Sequence, residues 1–247
     1  MLTQTTKCGF LCAVAASLLL LAGCACGRPC QKNAGATAAP PPPSTPAPDK
    51  TTSDWESLFD GESLGDWKIT DFGGQGEVKV EGGKLILPMG NNMTGVTWAG
   101  EIAKIDYEIE LDAMRVTGSD FFCALTFPVV GSSASLVLGG WGGSVCGISS
   151  LDGYDASDNS TTTIREFKNG QWYHVRARVT QKRIQAWLDT DQIVDVNITG
   201  KKVDVRIEVE LCKPLGIATW QTTGAIRNIR VRSLTPDEVK ASEPKEE

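Results

Sequence analysis

Three groups of side chains in this sequence have types and spacings that could do chemistry. The first is a row of carboxylates, Asp106, Glu108, Glu110 and Asp112, alternating with Ile105, Tyr107, Ile109 and Leu111. A strand turns successive side chains to opposite faces, so the four carboxylates share one face. Glycoside cleavage uses a pair of carboxyl groups, one to protonate the leaving oxygen and one to attack or to activate water. Glu108 and Glu110 are therefore candidate catalytic groups. The same row is also what a solvated outer sheet face presents.

The second group is Trp172, His174, Arg176 and Arg178, alternating with Tyr173, Val175, Ala177 and Val179. Gln185 and Trp187 join that face if the following strand pairs as a hairpin. An indole stacks on a sugar ring, and guanidinium and amide groups bind hydroxyls. His174 is the sole histidine and titrates near neutrality. His174, Arg178 and Trp187 are thus candidate substrate-binding residues, with a polar stripe facing solvent as the alternative.

The third group lies in Trp141–Asn159, WGGSVCGISSLDGYDASDN. Its glycines permit close backbone approach to a ligand. Asp120 and Trp141 are the ligand contacts expected from this region, and Asp152 is a third candidate catalytic carboxylate. Asp152, Asp155 and Asp158 offer hard oxygens for Ca²⁺, the one cofactor the sequence suggests. Their spacing is not that of a helix-loop-helix calcium site. Asp, Asn and Gly also favour tight turns for reasons of their own.

Strands must position all of these. Val78–Glu81 and Lys84–Leu87 flank Gly82-Gly83 as a hairpin. Alternating or apolar runs follow at 104–116, 121–129, 135–138, 172–180, 183–189, 193–198, 205–211, 216–220 and 225–231. Short strands at regular spacing, with turn residues between them, predict an all-β antiparallel sandwich or jelly roll. Thr235-Pro236-Asp237-Glu238 has the form of a capping box with proline at the first helical position, followed by a charged, frayed tail. Cys123, Cys146 and Cys212 fall in apolar or glycine-rich runs, which favours buried free thiols over a pair.

Four segments carry a family resemblance. Glu56–Lys68, ESLFDGESLGDWK, sets Leu58, Phe59 and Trp67 around an Asp60-Gly61 turn. Lys104–Leu111 supplies an early long strand, Asn169–Asp195 an arginine strand with a partner carrying Trp187, and Pro214–Arg232 a closing pair. Together they resemble the 3-keto-disaccharide hydrolase domain family over nearly all of residues 55–233. The resemblance implies a concanavalin A-like jelly roll of two antiparallel sheets. It also implies cleavage of glycosides oxidised at C3 of one sugar. A 3-keto group acidifies the C2 hydrogen, so the chemistry needs a base near C2 and an acid or metal near the leaving oxygen. Asp120–Ser150 departs from the family's usual Asn-Ser-Gly-Ile-type segment and looks like a subgroup built around Trp141. No catalytic residue is carried over from the family.

Residues 1–23 read as a bacterial lipoprotein signal. Lys7 precedes the apolar run Phe10–Leu21, and Leu21-Ala22-Gly23-Cys24 places Cys24 for lipidation. An ordinary secretory signal is the alternative. Residues 24–54 are rich in Pro, Ala and Thr, a semi-rigid tether. A domain at 55–234 and a charged tail at 235–247 complete the chain. This design hangs the domain from a bacterial membrane by lipid alone, exported and facing the periplasm or the cell exterior. The net charge is −6, and removing the leader with Lys7 makes it more negative. Nucleic acid is an unsuitable partner, because affinity there comes from neutralising phosphates. The expected partner is carbohydrate. The domain reads as a glycoside-cleaving enzyme, with a non-catalytic sugar-binding module and a surface domain that binds protein as the alternatives.

Overall fold

A computed structural model describes residues 55–244. The expected signal, Cys24 and the tether lie outside the described residues, as do residues 245–247. The strands are β1 (Glu56–Ser57), β2 (Trp67–Ile69), β3 (Lys79–Glu81), β4 (Lys84–Leu87), β5 (Met93–Trp98), β6 (Tyr107–Gly118), β7 (Cys123–Val129) and β8 (Ser132–Gly140). They continue as β9 (Val145–Ser149), β10 (Thr163–Ile164), β11 (Trp172–Val179), β12 (Arg183–Leu188), β13 (Asp191–Asn197), β14 (Gly216–Trp220) and β15 (Thr222–Ser233). A 3-10 turn spans Ile207–Cys212, and helix α1 spans Pro236–Ser242.

The strands form two antiparallel sheets. One runs β13-β12-β11-β6-β15-β4-β3 with β1 added on β15, and the other runs β10-β9-β8-β7-β14-β5-β2. The fold is the all-β jelly-roll sandwich that the alternation predicts. Tyr107, Ile109 and Leu111 of the first sheet meet the buried Leu125, Phe127 and Leu136 of the second. Each such side chain contributes roughly 1.5–3 kcal/mol on leaving water. The opening motif behaves as expected. Leu58, Phe59 and Trp67 are buried, and Trp67 Nε1 donates to the Leu58 carbonyl at 2.8 Å. The outward face of the second sheet is apolar too. Ala124, Val137 and Ala218 form a smaller cluster there, which requires a cover.

The 205–211 segment supplies part of that cover and corrects the sequence reading. Its alternation predicts a strand, yet 207–212 coils into a 3-10 turn that buries Val209 and Cys212. Three residues per turn place those two on one side, while Ile207 stands 87% exposed. Strand β5 was not expected, because Gly95 interrupts its pattern. A Cβ there would lie 2.6 Å from the Ile217 carbonyl oxygen, so glycine is what lets β14 approach. Segment 141–159 is not one loop, since β9 runs through it. The start of the tail is as expected, and the residues after it continue as helix α1 through Ser242 where fraying was expected. The capping box forms, with Thr235 Oγ1 accepting from Glu238 N at 3.3 Å. Helix α1 then docks where Arg178 donates to Ser242 Oγ at 3.0 Å. The three domain cysteines are buried and free.

Candidate functional site

The chain crosses between sheets twice at one place. It leaves β6 for β7 through Ser119–Asp120 and returns from β14 to β15 through Gln221. The crossings touch, with Gly118 paired to Thr222. Gly118 has φ +102°, and a Cβ there would sit 2.7 Å from Thr222 Oγ1. That hydroxyl accepts from Asp120 N at 3.1 Å. The Asp120 carboxylate accepts from Phe121 N at 2.7 Å and, across the crossing, from Gly142 N at 3.1 Å. Asp120 thereby pins the β8–β9 turn that carries Trp141. Gly143 (φ +111°) makes the approach feasible, because a Cβ would fall 2.5 Å from the Ser119 carbonyl oxygen. From behind, the buried Arg115 donates to the Phe167 carbonyl at 2.6 Å, to Asn169 Oδ1 at 2.7 Å and to the Gly143 carbonyl at 3.4 Å.

A pocket of about 190 Å³ opens beside this turn. Phe121, Ala124, Val137 and Trp220 give it apolar walls, and Ser135 and Ser149 line it from the strands. The more exposed Asp120, Trp141, Arg206 and Glu208 line its mouth, and the buried Val209 lines it from the 3-10 turn. Phe121 and Trp220 lean together with ring centres 6.5 Å apart.

Charge concentrates at the mouth. Arg206 Nε and Nη2 donate to the two Glu208 oxygens at 3.0 and 2.8 Å, and Nη1 forms a close ion pair with Asp155. Its guanidinium carbon lies 5.9 Å from the Trp141 ring centre. The Arg206 hydrogen bond holds the Glu208 carboxyl below its ordinary pKa against the opposing effect of burial, and Glu208 in turn raises that of Arg206. Polar groups are scarce below the mouth. Ser135 Oγ is paired with Thr126 Oγ1 at 2.8 Å. Ser149 is 1% exposed, and its Oγ has no hydrogen-bond partner among the described residues.

Two of the expected ligand contacts, Asp120 and Trp141, meet in this pocket. Asp152 stands elsewhere. Its carboxylate accepts from Lys202 N at 2.8 Å and Lys201 Nζ at 3.2 Å, and the first of these is the main cause of its lowered pKa. The expected calcium set of Asp152, Asp155 and Asp158 does not converge. Asp155 is turned to Arg206, and Asp158 is exposed. The segment is held instead by Asn159, whose amide donates to the carbonyls of Ile148, Tyr154 and Asp155 at 2.8, 3.1 and 2.7 Å. Among the described residues no three His, Cys, Asp or Glu side chains group closely enough to hold a metal.

Glu108, Glu110, His174, Arg178 and Trp187 lie on the outward face of the first sheet, across the sandwich from the pocket. The expected hairpin register is present, with Arg176 opposite Trp187 and Arg178 opposite Gln185. The face is not a freely solvated one. Glu108 is 1% exposed and accepts from Arg176, Arg178 and Arg232 at 3.0, 2.8 and 2.8 Å. Glu110 accepts from Arg230 Nε at 2.5 Å, and Asp112 contacts His174 Nδ1 at 3.1 Å. Arg176 covers Trp187 at 3.9 Å. Long guanidinium arms from β11 and β15 roof the carboxylates of β6.

Residues 54–232 match the model of the 3-keto-alpha-glucoside-1,2-lyase-like domain. The chain belongs to this family. No curated protein matches its sequence. Among solved structures, it resembles the Crh5 transglycosylase in complex with NAG at 8% identity, covering 74% of this chain and 84% of the other, with a TM-score of 0.48. The metal-free Emp46p carbohydrate recognition domain is similar at 14% identity, covering 76% and 98%, with a TM-score of 0.47. A carbohydrate-binding module from Bacillus subtilis is similar at 13%, covering 68% and 96%, with a TM-score of 0.44. These likenesses concern the arrangement of strands and nothing finer.

In this lyase-like domain the pocket-lining side chains that sequence reasoning missed include Arg206, Glu208, Ser149 and Trp220. The first two hide in the false strand at 205–211. Trp220 is visible only as the last residue of an apolar strand. Ser149 ends an apolar run, and no sequence signal distinguishes it from Ser150.

Proposed function

We propose that this carbohydrate-processing domain receives a 3-keto-glycoside at the mouth of the Trp141 pocket and breaks its C1–O bond by elimination. The observation that carries the reading is Arg206, set over Trp141 and paired with Glu208 at the same mouth. Glu208, ionised at neutral pH, is the base that takes the C2 proton. The released electron pair forms the C2–C3 double bond, and charge moves to the keto oxygen. Arg206 is the cation available to that developing oxyanion, and the apolar surroundings strengthen the interaction. Collapse restores the keto group, forms C1=C2 and expels the C1 oxygen, which takes a proton from solvent. Water then adds at C1. Trp141 supplies the stacking face.

The test is release of 4-nitrophenol from its 3-keto-glucoside by the full chain, with added Ca²⁺ and with EDTA in parallel. Glu208→Gln is expected to remove turnover while ligand still quenches tryptophan fluorescence. Unchanged turnover in that variant would defeat the assignment. A binding module is the second reading, favoured because both carboxylates of the mouth are already engaged, Asp120 by two backbone N–H groups and Glu208 by Arg206. Quenching without release by the unaltered protein would select it.

We also propose that lipid on Cys24 tethers the domain to a bacterial membrane. Labelling with a radioactive fatty acid, lost in Cys24→Ala, is the expected outcome. Unlabelled protein in the soluble fraction would refute it.

A further inference from the structure

We infer that the pocket below the mouth is an aglycone site that takes a phenolic ring. The inference rests on the glycoside reading above and adds which end of the substrate enters. A sugar ring carries hydroxyls around its whole edge. Away from its charged groups the pocket offers the half-buried Phe121 and Trp220 and the buried Ala124 and Val137, and the one lining hydroxyl without a partner is Ser149 Oγ. A hexose driven to the floor would strip its hydroxyls of water and return few hydrogen bonds. A planar apolar ring loses nothing by entering. An apolar cavity of roughly 150 Å³ accepts benzene, and the whole pocket, mouth included, holds about 190 Å³, room for one ring with the sugar outside it.

Ser149 sharpens the choice. A buried hydroxyl without a partner is rare in a folded protein and marks a place where a missing group belongs. A ring carrying its own hydroxyl or carbonyl opposite the glycosidic bond would supply that group once the Ser149 side chain, now closed off from the pocket space, turns toward it. The sugar would then stay at the mouth, where Trp141, Arg206 and Glu208 can act on it, with the scissile oxygen between the two compartments. The preferred substrates are accordingly aryl glycosides with a polar atom at the far end of the ring.

The experiment is fluorescence titration of the full chain with the methyl, phenyl and 4-hydroxyphenyl glucosides and their 3-keto forms. Ser149→Ala and the pocket-filling Val137→Phe are measured beside it, with circular dichroism as the check on folding. Phenyl is expected to bind about ten-fold more tightly than methyl through the area it buries. The 4-hydroxyphenyl compound should gain about another five-fold through Ser149. Ser149→Ala should erase only the second increment, and Val137→Phe should erase the first. Equal affinity for methyl and phenyl ligands would overturn the aglycone site and leave the glycoside reading standing. Binding of phenyl compounds and of free phenol alike, with no response to any methyl glucoside, would support the aromatic site and defeat the glycoside reading.

Discussion

Glu108 and Arg178 meet at 2.8 Å across β6 and β11, in the middle of an outward sheet face where Glu108 is 1% exposed. Arg176 and Arg232 reach the same carboxylate. One buried anion thus serves three cations, and Arg232 carries the connection on to Glu238 at the start of α1. Removing one member of a buried charge network leaves its partners desolvated and unpaired. Glu108→Ala is therefore expected to destabilise the domain by about 3–5 kcal/mol, read from urea unfolding. Folded Glu108→Ala protein should bind ligand normally. A loss of affinity with little loss of stability would return Glu108 to the site.

Asp120 has the opposite profile, with its value in what it positions. Its carboxylate fastens Gly142 N–H to the crossing between sheets, and Trp141 sits next in the chain. Asp120→Ala leaves the Phe121 and Gly142 N–H groups without acceptors, a cost of about 1–3 kcal/mol each where water cannot replace them. The expected result is faster hydrogen exchange at Gly142 and weaker ligand binding, with partial rescue by Asp120→Asn, which keeps one acceptor oxygen. Unchanged exchange at Gly142 would show that the turn holds itself.

The sheet pattern was legible because period-two alternation is a direct consequence of strand geometry. The strands at 172–180 and 183–189 pair as the hairpin their residues indicated. Trp141 was legible as a residue of an unusual turn because glycines stand on both sides of it, and with Asp120 it lines the pocket. Arg206 and Glu208 were not legible. Val205-Arg206-Ile207-Glu208-Val209 alternates as a strand does, and only the demand of Ala124, Val137 and Ala218 for a cover makes it coil. That demand arises from the other sheet and is not local to the segment. The surroundings of the outward carboxylates were hidden for a related reason. Alternation tells which face a side chain takes, but the arginines that close over Glu108 come from β11 and β15, far along the chain.

The cysteines offer a test of burial itself. Desolvation pushes the thiols of Cys123 and Cys212 up to about 12, and that of Cys146 to about 11. The thiolate is the reactive form. At pH 8 iodoacetamide should leave all three unmodified in native protein, as mapped by peptide mass spectrometry, and modify them in urea. Modification of Cys146 before unfolding would mean that the β8–β9 turn opens and exposes the core between the sheets.

The C-terminal helix gives a pH dependence of definite sign. The hydrogen bond from Arg232 is the main cause that lowers the Glu238 carboxyl from 4.5 to about 2 in the folded chain. A folded-state pKa below the unfolded value stabilises the folded state above the unfolded value, and the contribution disappears as pH falls toward the folded one. Docking of α1 should therefore be constant from neutrality to about pH 5 and weaken progressively between about pH 4.5 and 2. Glu238→Gln removes this titration, so the stability difference between the two proteins should be constant above pH 5 and shrink below it. Hydrogen exchange of the α1 amides locates the effect, since Arg178 and Arg183 still hold Ser242 by hydrogen bonds that do not depend on Glu238. A difference that grows as the pH falls would reverse the sign and exclude the Arg232–Glu238 pair as the clasp of the helix.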